Sequence, residues 1–464
     1  MKCKVFMNSF REKSQMSKKL IIIIGLGLFS PNFFSQAKDS SAFSFSLQQA
    51  VNYALENQKD VKNAIIDEQI AQKRVNEIMG MGLPQINSSF DLREFIEIPT
   101  SLIPADFFGG APGTFAAVKF GTKYNATAGL DASQLIFSGD YFLGIKASKA
   151  FVEMSTKSTQ RTKIETAATV SKAYYTVLVN DERVKLMNAT IERIKKTLDG
   201  TKILLDNGFV EKIDYDMLTV TYNNLLVEQE KIQRLVTLSS YLLKYQMGMD
   251  INASLTLTDK LADIKLDISN SASAQKFDYE KRVEYNLFQT QYKLAKLDFK
   301  RQRLSYLPTA FAYGSMSGGA QRNEFDIFDT SKKWYPTSVI GAKVAMPIFT
   351  GFQRHSKNQQ AKLSVQKAEN NIEFIKKSID LELASATTIL QNASSSLENQ
   401  KKNITIAEDV VRVSRLKFEQ GVGTNIEMIT AETNLKEAQT NYYNALFEAV
   451  IAKIDFDKAN GNLK

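Results

Sequence analysis

The chain contains an internal repeat, and this repeat constrains the fold more than any other feature of the sequence. The segments "LLDNGFVEKIDYDMLTV" and "LKFEQGVGTNIEMITAETNL" each interrupt a long helical pattern with glycine and then resume it. Three pairs of residues keep a constant spacing of 213 positions: Gly208 and Gly421, Ile213 and Ile426, and Asp214 and Glu427. The sequence therefore predicts two copies of one structural unit.

Each unit is predicted to contain, in order, a helix, two strands, a very long helix, a turn and a final helix. The Leu-Pro pair at 83–84 has a counterpart at 307–308, and "IFSGD" at 136–140 has a counterpart in "IFTGF" at 348–352. These matches place the first unit at residues 46–247 and the second at 278–462. The segment between them, 248–277, is predicted to be a linker.

Four strands are predicted, at residues 85–96, 123–137, 309–317 and 337–349. The second strand alternates most clearly, with one apolar face formed by Tyr124, Ala126, Ala128, Leu130 and Ala132. Alternation over about ten residues is typical of transmembrane barrel strands, which face lipid on one side and water on the other. The same pattern also fits an antiparallel hairpin with one solvated face, so periodicity alone leaves both alternatives open.

The helices are predicted to form two long hairpins, at residues 139–247 and 351–458. A helix over 139–206 would be about 100 Å long at a rise of 1.5 Å per residue. The first helix, from the N-cap Ser46 to about Met81, would pack beside it. In the second hairpin, apolar residues recur with heptad spacing, which predicts coiled-coil packing: Val365, Ala368, Ile372, Ile375 and Ile379.

Four strands per chain are too few for a closed membrane barrel, since such barrels begin at about eight strands. Open strand edges are not tolerated in lipid, because their backbone groups would have no hydrogen-bond partners. The strands must therefore be shared among subunits if they cross a membrane. Three copies would supply about twelve strands.

The N-terminus is predicted to be a signal peptide covering residues 1–37. Lys18 and Lys19 precede an apolar run, and Ser35-Gln36-Ala37 fits the small-x-small cleavage pattern. Met16 is a plausible start of translation. The only cysteine, Cys3, precedes the apolar run, so lipidation is not expected and the mature chain would contain no cysteine.

The charge balance gives no reason to expect a nucleic-acid partner. The formal net charge is +9, but residues 1–37 hold six Lys or Arg and one Glu, which accounts for more than half of it. In the remainder, Lys and Arg lie beside Glu and Asp along the helices, as on ordinary solvated helix faces.

Several motifs together resemble the TolC family of outer membrane efflux proteins. They are the Gly421-x-Gly423-x-x-x-Glu427 pattern after a long helix, the paired Leu-Pro and Ile-Phe signals, and "YYNALFEAVIAKIDFDKANGNL" near the end. The resemblance covers about residues 46–462. It implies a mainly α fold with a shared transmembrane β-barrel, in which a trimer forms a 12-stranded barrel in the outer membrane. A coiled-coil α-barrel would project into the periplasm of a Gram-negative bacterium.

The resemblance also implies function and partners. Members export small molecules or other substrates, and they dock on a periplasmic adaptor and an inner-membrane transporter. The two helix breaks would be the periplasmic tips that contact the adaptor, at Gly208, Phe209, Val210, Gly421, Val422, Gly423 and Thr424. Glycine is expected to end each helix and to provide the backbone freedom of the reversal.

Two acids follow the breaks, and two roles remain open for them. Asp214 and Glu427 lie in the first turn of a helix, where an acid interacts favourably with the helix dipole. The resemblance implies that they also line the tunnel entrance and favour cations. Thr430 stands where the family commonly has a second acid. Gly423 and Phe418 stand where some members have a basic residue and a tyrosine that hold the tip closed.

Aromatic residues near the strands are predicted to contact the membrane interface, although ordinary loop packing would explain them too. They are Phe325, Phe328, Trp334 and Tyr335, with Phe107, Phe108, Phe115 and Phe120 in the other loop.

No catalytic constellation or phosphate-binding loop is found in the sequence. His355 is the only histidine, which makes a metal or nucleophile site improbable, so we expect neither an enzyme nor a cofactor. Two other classes of protein remain open. One is a periplasmic coiled-coil adaptor or structural protein that never enters the outer membrane, and the other is an exported enzyme.

Overall fold

The computed structural model describes residues 43–261 and 277–463. The predicted signal peptide, with Cys3 and Met16, lies outside these residues, as does half of the predicted linker, residues 262–276. The described part of the first unit contains four helices: α1 (Leu47–Asn57), α2 (Lys59–Gly80), α3 (Gly139–Asp206) and α4 (Lys212–Met247). The second unit contains α5 (Val283–Leu304), α6 (Gln353–Glu419) and α7 (Asn425–Ala459).

The first predicted helix is in fact two helices. Gln58 adopts an extended conformation, with φ −67° and ψ 134°, and thereby ends α1. Its side-chain oxygen then accepts hydrogen bonds from the backbone N–H groups of Asp60 and Val61, at 2.6 and 3.0 Å, and so caps α2. Glutamine is neither a helix breaker nor a usual N-cap, and so the pattern over 46–81 appeared continuous.

Eight strands form three sheets in the described residues. They are β1 (Phe43–Phe45), β2 (Gln85–Glu94), β3 (Thr100–Pro104), β4 (Phe115–Lys119), β5 (Tyr124–Phe137), β6 (Leu255–Leu257), β7 (Thr309–Arg322) and β8 (Tyr335–Ala345). The four long strands correspond to the four predicted ones. β7 extends five residues beyond its prediction, and β8 lies two to four residues earlier than predicted.

Two pairs of short strands were not predicted. β3 and β4 form an antiparallel hairpin within the predicted loop 97–122. β6 lies within the predicted linker and pairs in parallel with β1, so that Phe43 is opposite Leu255. This second pairing joins the start of the first unit to the connection between the units.

The main sheet is antiparallel with the order β2-β5-β7-β8, so both edge strands lack a neighbour on one side. Its register brings most apolar residues of the four strands onto one face, although Phe311, Tyr313 and Val339 lie on the other. Across the apolar face lie Phe90 and Ala128, Leu130 and Met316, and Gly314 and Ile340, each pair directly opposite. The other face carries the polar pairs Asn87 and Asp131, and Asp131 and Ser315.

The long helix α3 holds the helical part together. It packs against α2 and α5 along one stretch and against α4, α7 and α1 along another. The largest core cluster surrounds Tyr174, whose ring is fully buried. The Tyr174 hydroxyl donates to Asp259 Oδ2 at 3.0 Å or to the Phe45 carbonyl at 3.1 Å, and burial raises the pKa of this phenol. None of the helices in the described ranges is long and apolar enough to cross a membrane.

Candidate functional site at the hairpin tips

The two hairpin tips share one backbone geometry. Gly208 follows α3 and Gly421 follows α6, and both adopt the left-handed region with φ 73°. The next residue donates back into the last turn, with Phe209 N 2.9 Å from Leu204 O and Val422 N 3.0 Å from Lys417 O. This is a Schellman ending, in which a residue without a Cβ avoids the strain of a positive φ. The positive φ expected of these two glycines is therefore found.

Gly423 has a different requirement from the one expected. Its φ lies outside the left-handed region, so it does not supply the backbone freedom predicted for it. Instead, a Cβ at this position would lie 2.9 Å from Lys417 Cβ and 3.0 Å from Phe418 N. Glycine is needed here because the chain passes close to the end of α6. At the corresponding position of the first tip the chain has Val210, so that approach is particular to the second tip.

The returning helices begin differently. Thr424 Oγ1 accepts a hydrogen bond from Glu427 N at 3.2 Å and caps α7. Glu211, at the corresponding position before α4, makes no side-chain cap. Both acids lie in the first turn as predicted, Asp214 in α4 and Glu427 in α7. That position suits the helix dipole and is equally compatible with a tunnel-entrance role.

The tips of the two hairpins contact each other. Asn425, which is buried, donates from Nδ2 to the Asp214 carbonyl oxygen at 2.9 Å. This bond joins the first turn of α7 to the first turn of α4, so the two acid-bearing turns are neighbours. Large apolar side chains protrude from the same end, with Phe209 77% and Val422 79% exposed. The tip is therefore a paired surface with apolar projections, as a docking surface would require.

A buried charge cluster that was not predicted from the sequence lies above the tips. Glu432 on α7 is 2% exposed and contacts two arginines, with its Oε2 3.0 Å from Arg193 Nε and its Oε1 2.9 Å from Arg415 Nη2. Arg193 belongs to α3 and Arg415 to α6, so one carboxylate links three helices and both hairpins. A signal was present, because Glu432 lies four residues after the buried Met428 and three before the buried Leu435. An acid in that series indicates a buried partner.

Further polar contacts continue along the boundary between the hairpins. Lys436 on α7 pairs with Glu228 on α4, and Lys172 on α3 lies 2.5 Å from Asp455 on α7. Arg183 on α3 donates to Asn444 on α7. These contacts fix the register of the two hairpins against each other.

At the opposite end, the predicted interface aromatics are only partly brought together. The Phe325 ring contacts the Tyr124 ring in an edge-on arrangement at 5.4 Å, and the Phe328 ring at 6.3 Å. Trp334 packs beside Gly318 and the buried Ala320 and Ile327. Tyr335 begins β8 and is 63% exposed. The cluster is thus in part a packed loop and in part an exposed aromatic rim.

Comparisons with known proteins agree on one fold. Residues 295–462 match the family model described as outer membrane efflux protein. The chain is similar to the outer membrane protein TolC of Escherichia coli K12, with 23% identity over 465 residues, covering 97% of this chain and 87% of that protein. It is also similar to TolC of Vibrio cholerae, with 19% identity over 342 residues, covering 73% of this chain and 77% of that protein.

Solved structures give the same result. The open state of the Neisseria gonorrhoeae MtrE outer membrane channel aligns with a TM-score of 0.69 at 18% identity, covering 89% of this chain and 88% of that one. The outer membrane protein VceC from Vibrio cholerae aligns with a TM-score of 0.67 at 14% identity, covering 89% and 96%. The fold is therefore that of these proteins, over nearly the full length of both.

Proposed function

We infer that the chain is a TolC-like outer membrane factor and that it forms the outer membrane channel of an export system. Its sheet end lies in the outer membrane and its helical hairpins lie in the periplasm. The observation that carries this inference is the sheet, whose register gives it one mainly apolar and one mainly polar face along four strands. A soluble sheet buries its apolar face in protein. Here Phe90 is 55% exposed and Ile340 92% exposed, which suits contact with lipid.

The edges of the sheet support a homotrimer. β2 and β8 each present one unpaired row of backbone groups, and such rows are costly in hydrocarbon. Pairing β8 of one chain with β2 of the next closes a ring, and three chains give about twelve strands, well above the minimum for a closed barrel. Outer membrane lipid then covers the apolar face, and the polar face lines the channel.

The tips support docking of the other components. In this proposal, a periplasmic adaptor contacts Gly208, Phe209 and Val210 of one hairpin and the segment 421–424 of the other. Because the two tips are hydrogen-bonded to each other, the adaptor meets them as one surface. An inner-membrane transporter supplies cargo and energy, and the channel is a conduit without a chemical step.

The acids of the tip act on the ions that pass. Glu427 is exposed and Asp214 is partly exposed, and three copies of each would stand around one opening. A ring of carboxylates concentrates cations and hinders anions. Thr430 is exposed in the next turn of α7, so this ring has fewer charges than one with a second acid at that position. The exposed aromatics Phe325, Phe328 and Tyr335, together with Trp334, would mark the outer rim of the barrel.

The orientation is tested by thiol labelling, since the only cysteine of the whole chain is Cys3. Ala111→Cys lies in the loop expected outside the cell, and Val422→Cys lies at the periplasmic tip. An impermeant maleimide added to intact cells should label Ala111→Cys and spare Val422→Cys. After permeabilisation both should react. The reverse pattern on intact cells contradicts the orientation, and absence of the chain from outer membrane fractions contradicts the function.

A further inference from the structure

A groove lies where the helices of the second unit meet the strands. It has a volume of about 530 Å³ and is lined by the last turns of α5 and the first turns of α6. A second groove of about 520 Å³ continues from it towards the strand ends, and Asp140, Ser305 and Arg354 line both. Together they form one continuous depression, which we call the shoulder groove.

One half of the shoulder groove is polar and positively charged. Arg354 donates from Nη1 to the Ser305 carbonyl oxygen, and its other N–H groups have no partner among the described residues, so a ligand could bind them. Lys357 has no carboxylate within salt-bridge distance among residues 43–261 and 277–463. Arg301 also lines this half, but it is paired with Asp298 at 2.8 Å.

The other half of the shoulder groove has an apolar wall beside polar residues. Val344 and Met346 line it at the end of β8, and they are 69% and 62% exposed. Val344 lies on the apolar face of the sheet. Ala342 and Ile340, two and four residues before it in β8, lie on the same face. In the proposed function this face contacts lipid, so the groove runs from the lipid-facing surface into a basic pocket.

The two units differ in charge at this level, although their backbones repeat. In the second unit, residues 296–305 and 352–364 hold seven Lys or Arg and one Asp. The corresponding turns of the first unit, residues 72–81 and 140–152, hold four Lys or Arg and two acids. A requirement common to both units, such as solubility of the helix ends, would not produce this difference.

We propose that the shoulder groove binds a glycerophospholipid with a phosphoethanolamine headgroup. The lipid phosphate lies between Arg354 and Lys357, where a guanidinium and an ammonium form charge-assisted hydrogen bonds with it. The acyl chains lie along Val344 and Met346. Asp140, at the rim shared by the two grooves, accepts from the headgroup ammonium. This inference rests on the proposed function, because it needs the groove to lie at the periplasmic leaflet of the outer membrane.

The test is native mass spectrometry of the complex purified in a neutral detergent, with phosphatidylethanolamine added as the probe. The wild type should retain up to one lipid per chain. The double variant Arg354→Gln/Lys357→Gln should bind about tenfold more weakly, which corresponds to about 1.4 kcal/mol. The matched control, Lys146→Gln/Lys149→Gln in the corresponding turns of the first unit, should bind as the wild type does. Equal binding by the double variant, or an equal loss in the control, overturns the proposal.

Three additions identify the ligand chemistry. A diacylglycerol with the same chains lacks the phosphate and should not be retained; equal retention would mean that the groove binds only acyl chains. Inorganic phosphate in millimolar excess should not displace the lipid; displacement would mean a free-phosphate site. Phosphatidylglycerol lacks the ammonium and should bind several-fold more weakly; equal binding would contradict the role of Asp140.

Fractionation of the same variants separates this inference from the proposed function. A chain that is missing from the outer membrane contradicts the channel. A channel that is present in the outer membrane but retains no lipid contradicts only the shoulder groove.

Discussion

The two long helices α3 and α6 have nearly the same length, 68 and 67 residues, but very different surroundings. α3 buries 21 residues along its length and α6 only six. The reason is position, since α3 has helical neighbours on two sides, whereas among the described residues α6 packs mainly against α5 and α7. A repeated sequence has thus produced one central helix and one edge helix.

The exposed side of α6 carries large apolar residues. Phe374 is 69% exposed and Leu381 71% exposed, seven residues apart and therefore on one face. At the other edge of the chain, Ile70 on α2 and Leu238 on α4 are 59% and 63% exposed. In the proposed trimer, these apolar surfaces at opposite edges would face each other between neighbouring copies, in the same ring that the open strand edges favour. In the proposed trimer, α6 would obtain from a second chain the kind of neighbours that α3 has within its own chain.

The largest effect is expected from the same charge placed on the two helices. Val170→Asp puts a carboxylate into the core of α3, where the side chain is fully buried, and should destabilise the protomer by more than about 4 kcal/mol. Phe374→Asp on α6 should leave the protomer folded and prevent the trimer. Circular dichroism measures whether the protomer folds, and native mass spectrometry measures whether it forms trimers.

Matched controls accompany this pair. Thr169→Asp, on the exposed neighbour of Val170, should be tolerated, and Phe374→Leu should still form trimers. If Phe374→Asp assembles as the wild type does, the uncovered face of α6 is not a subunit contact.

The next largest effect concerns the carboxylate that joins the central helix to the edge helix. Glu432→Ala leaves Arg193 and Arg415 without their acceptor and should destabilise the hairpins by about 2 kcal/mol, since both arginines are partly solvated. Limited proteolysis near the tips and thermal unfolding measure this change. Glu437→Ala, an exposed acid on the same helix, should change stability by less than about 0.5 kcal/mol. Equal stability of the two variants would show that the pairs of Glu432 with Arg193 and Arg415 do not stabilise the hairpins.

A smaller effect compares the two tips. Gly208→Val and Gly421→Val should each cost about 1–2 kcal/mol, because φ is 73° at both and a Cβ meets nothing within 4 Å. Gly423→Ala should also be destabilising, through contact with α6, whereas Val210→Ala should be nearly neutral. We expect the trimer to reach the outer membrane in all four variants. Adaptor docking should be clearly impaired in the three glycine variants and less so in Val210→Ala, which trims one contact side chain without changing the backbone. Cross-linking to the adaptor measures docking, and unchanged docking by all three glycine variants would contradict the tip as the contact.

The smallest expected effect is on ion selectivity. Glu427→Gln should keep the trimer intact and lower cation selectivity in planar bilayers, because three charges leave one ring together. The difference should shrink at high salt, where the Debye length falls to about 3 Å at 1 M. Thr430→Gln, one turn further and exposed, is the control with no change of charge. Unchanged selectivity of Glu427→Gln at low salt would mean that this acid only stabilises its helix.

The ends of helices and strands were predicted where nearby residues determine them, and they were missed where contacts distant in sequence determine them. The ends of α3 were predicted because "IFSGD" and Asn207-Gly208 are local signals, as are the glycines after α6. The extension of β7 over 318–322 was missed because it begins with Gly318-Gly319 and resembles a loop. It is a strand because β5 pairs with it as far as Arg322, and β8 pairs with it as far as Gly319.

The same limit applies to the side-chain contacts of the tips. The positions of Gly208, Gly421 and the two acids follow from spacing along the chain. The contact from Asn425 to Asp214, the Glu432 cluster and the close approach at Gly423 depend on which helices meet, and no local pattern records that. The expectation for Gly423 was wrong for this reason. Gly421 and Gly423 belong to one motif, but Gly421 is needed for its positive φ and Gly423 for the close approach of α6.

The mass of the detergent-extracted complex tests most directly the claim that each chain completes its sheet and its edge helix with neighbouring copies. Native mass spectrometry of protein taken from the outer membrane should give three times the mass of one mature chain. A stable single chain with its sheet intact and its α6 face uncovered would contradict the shared barrel and the ring of hairpins together.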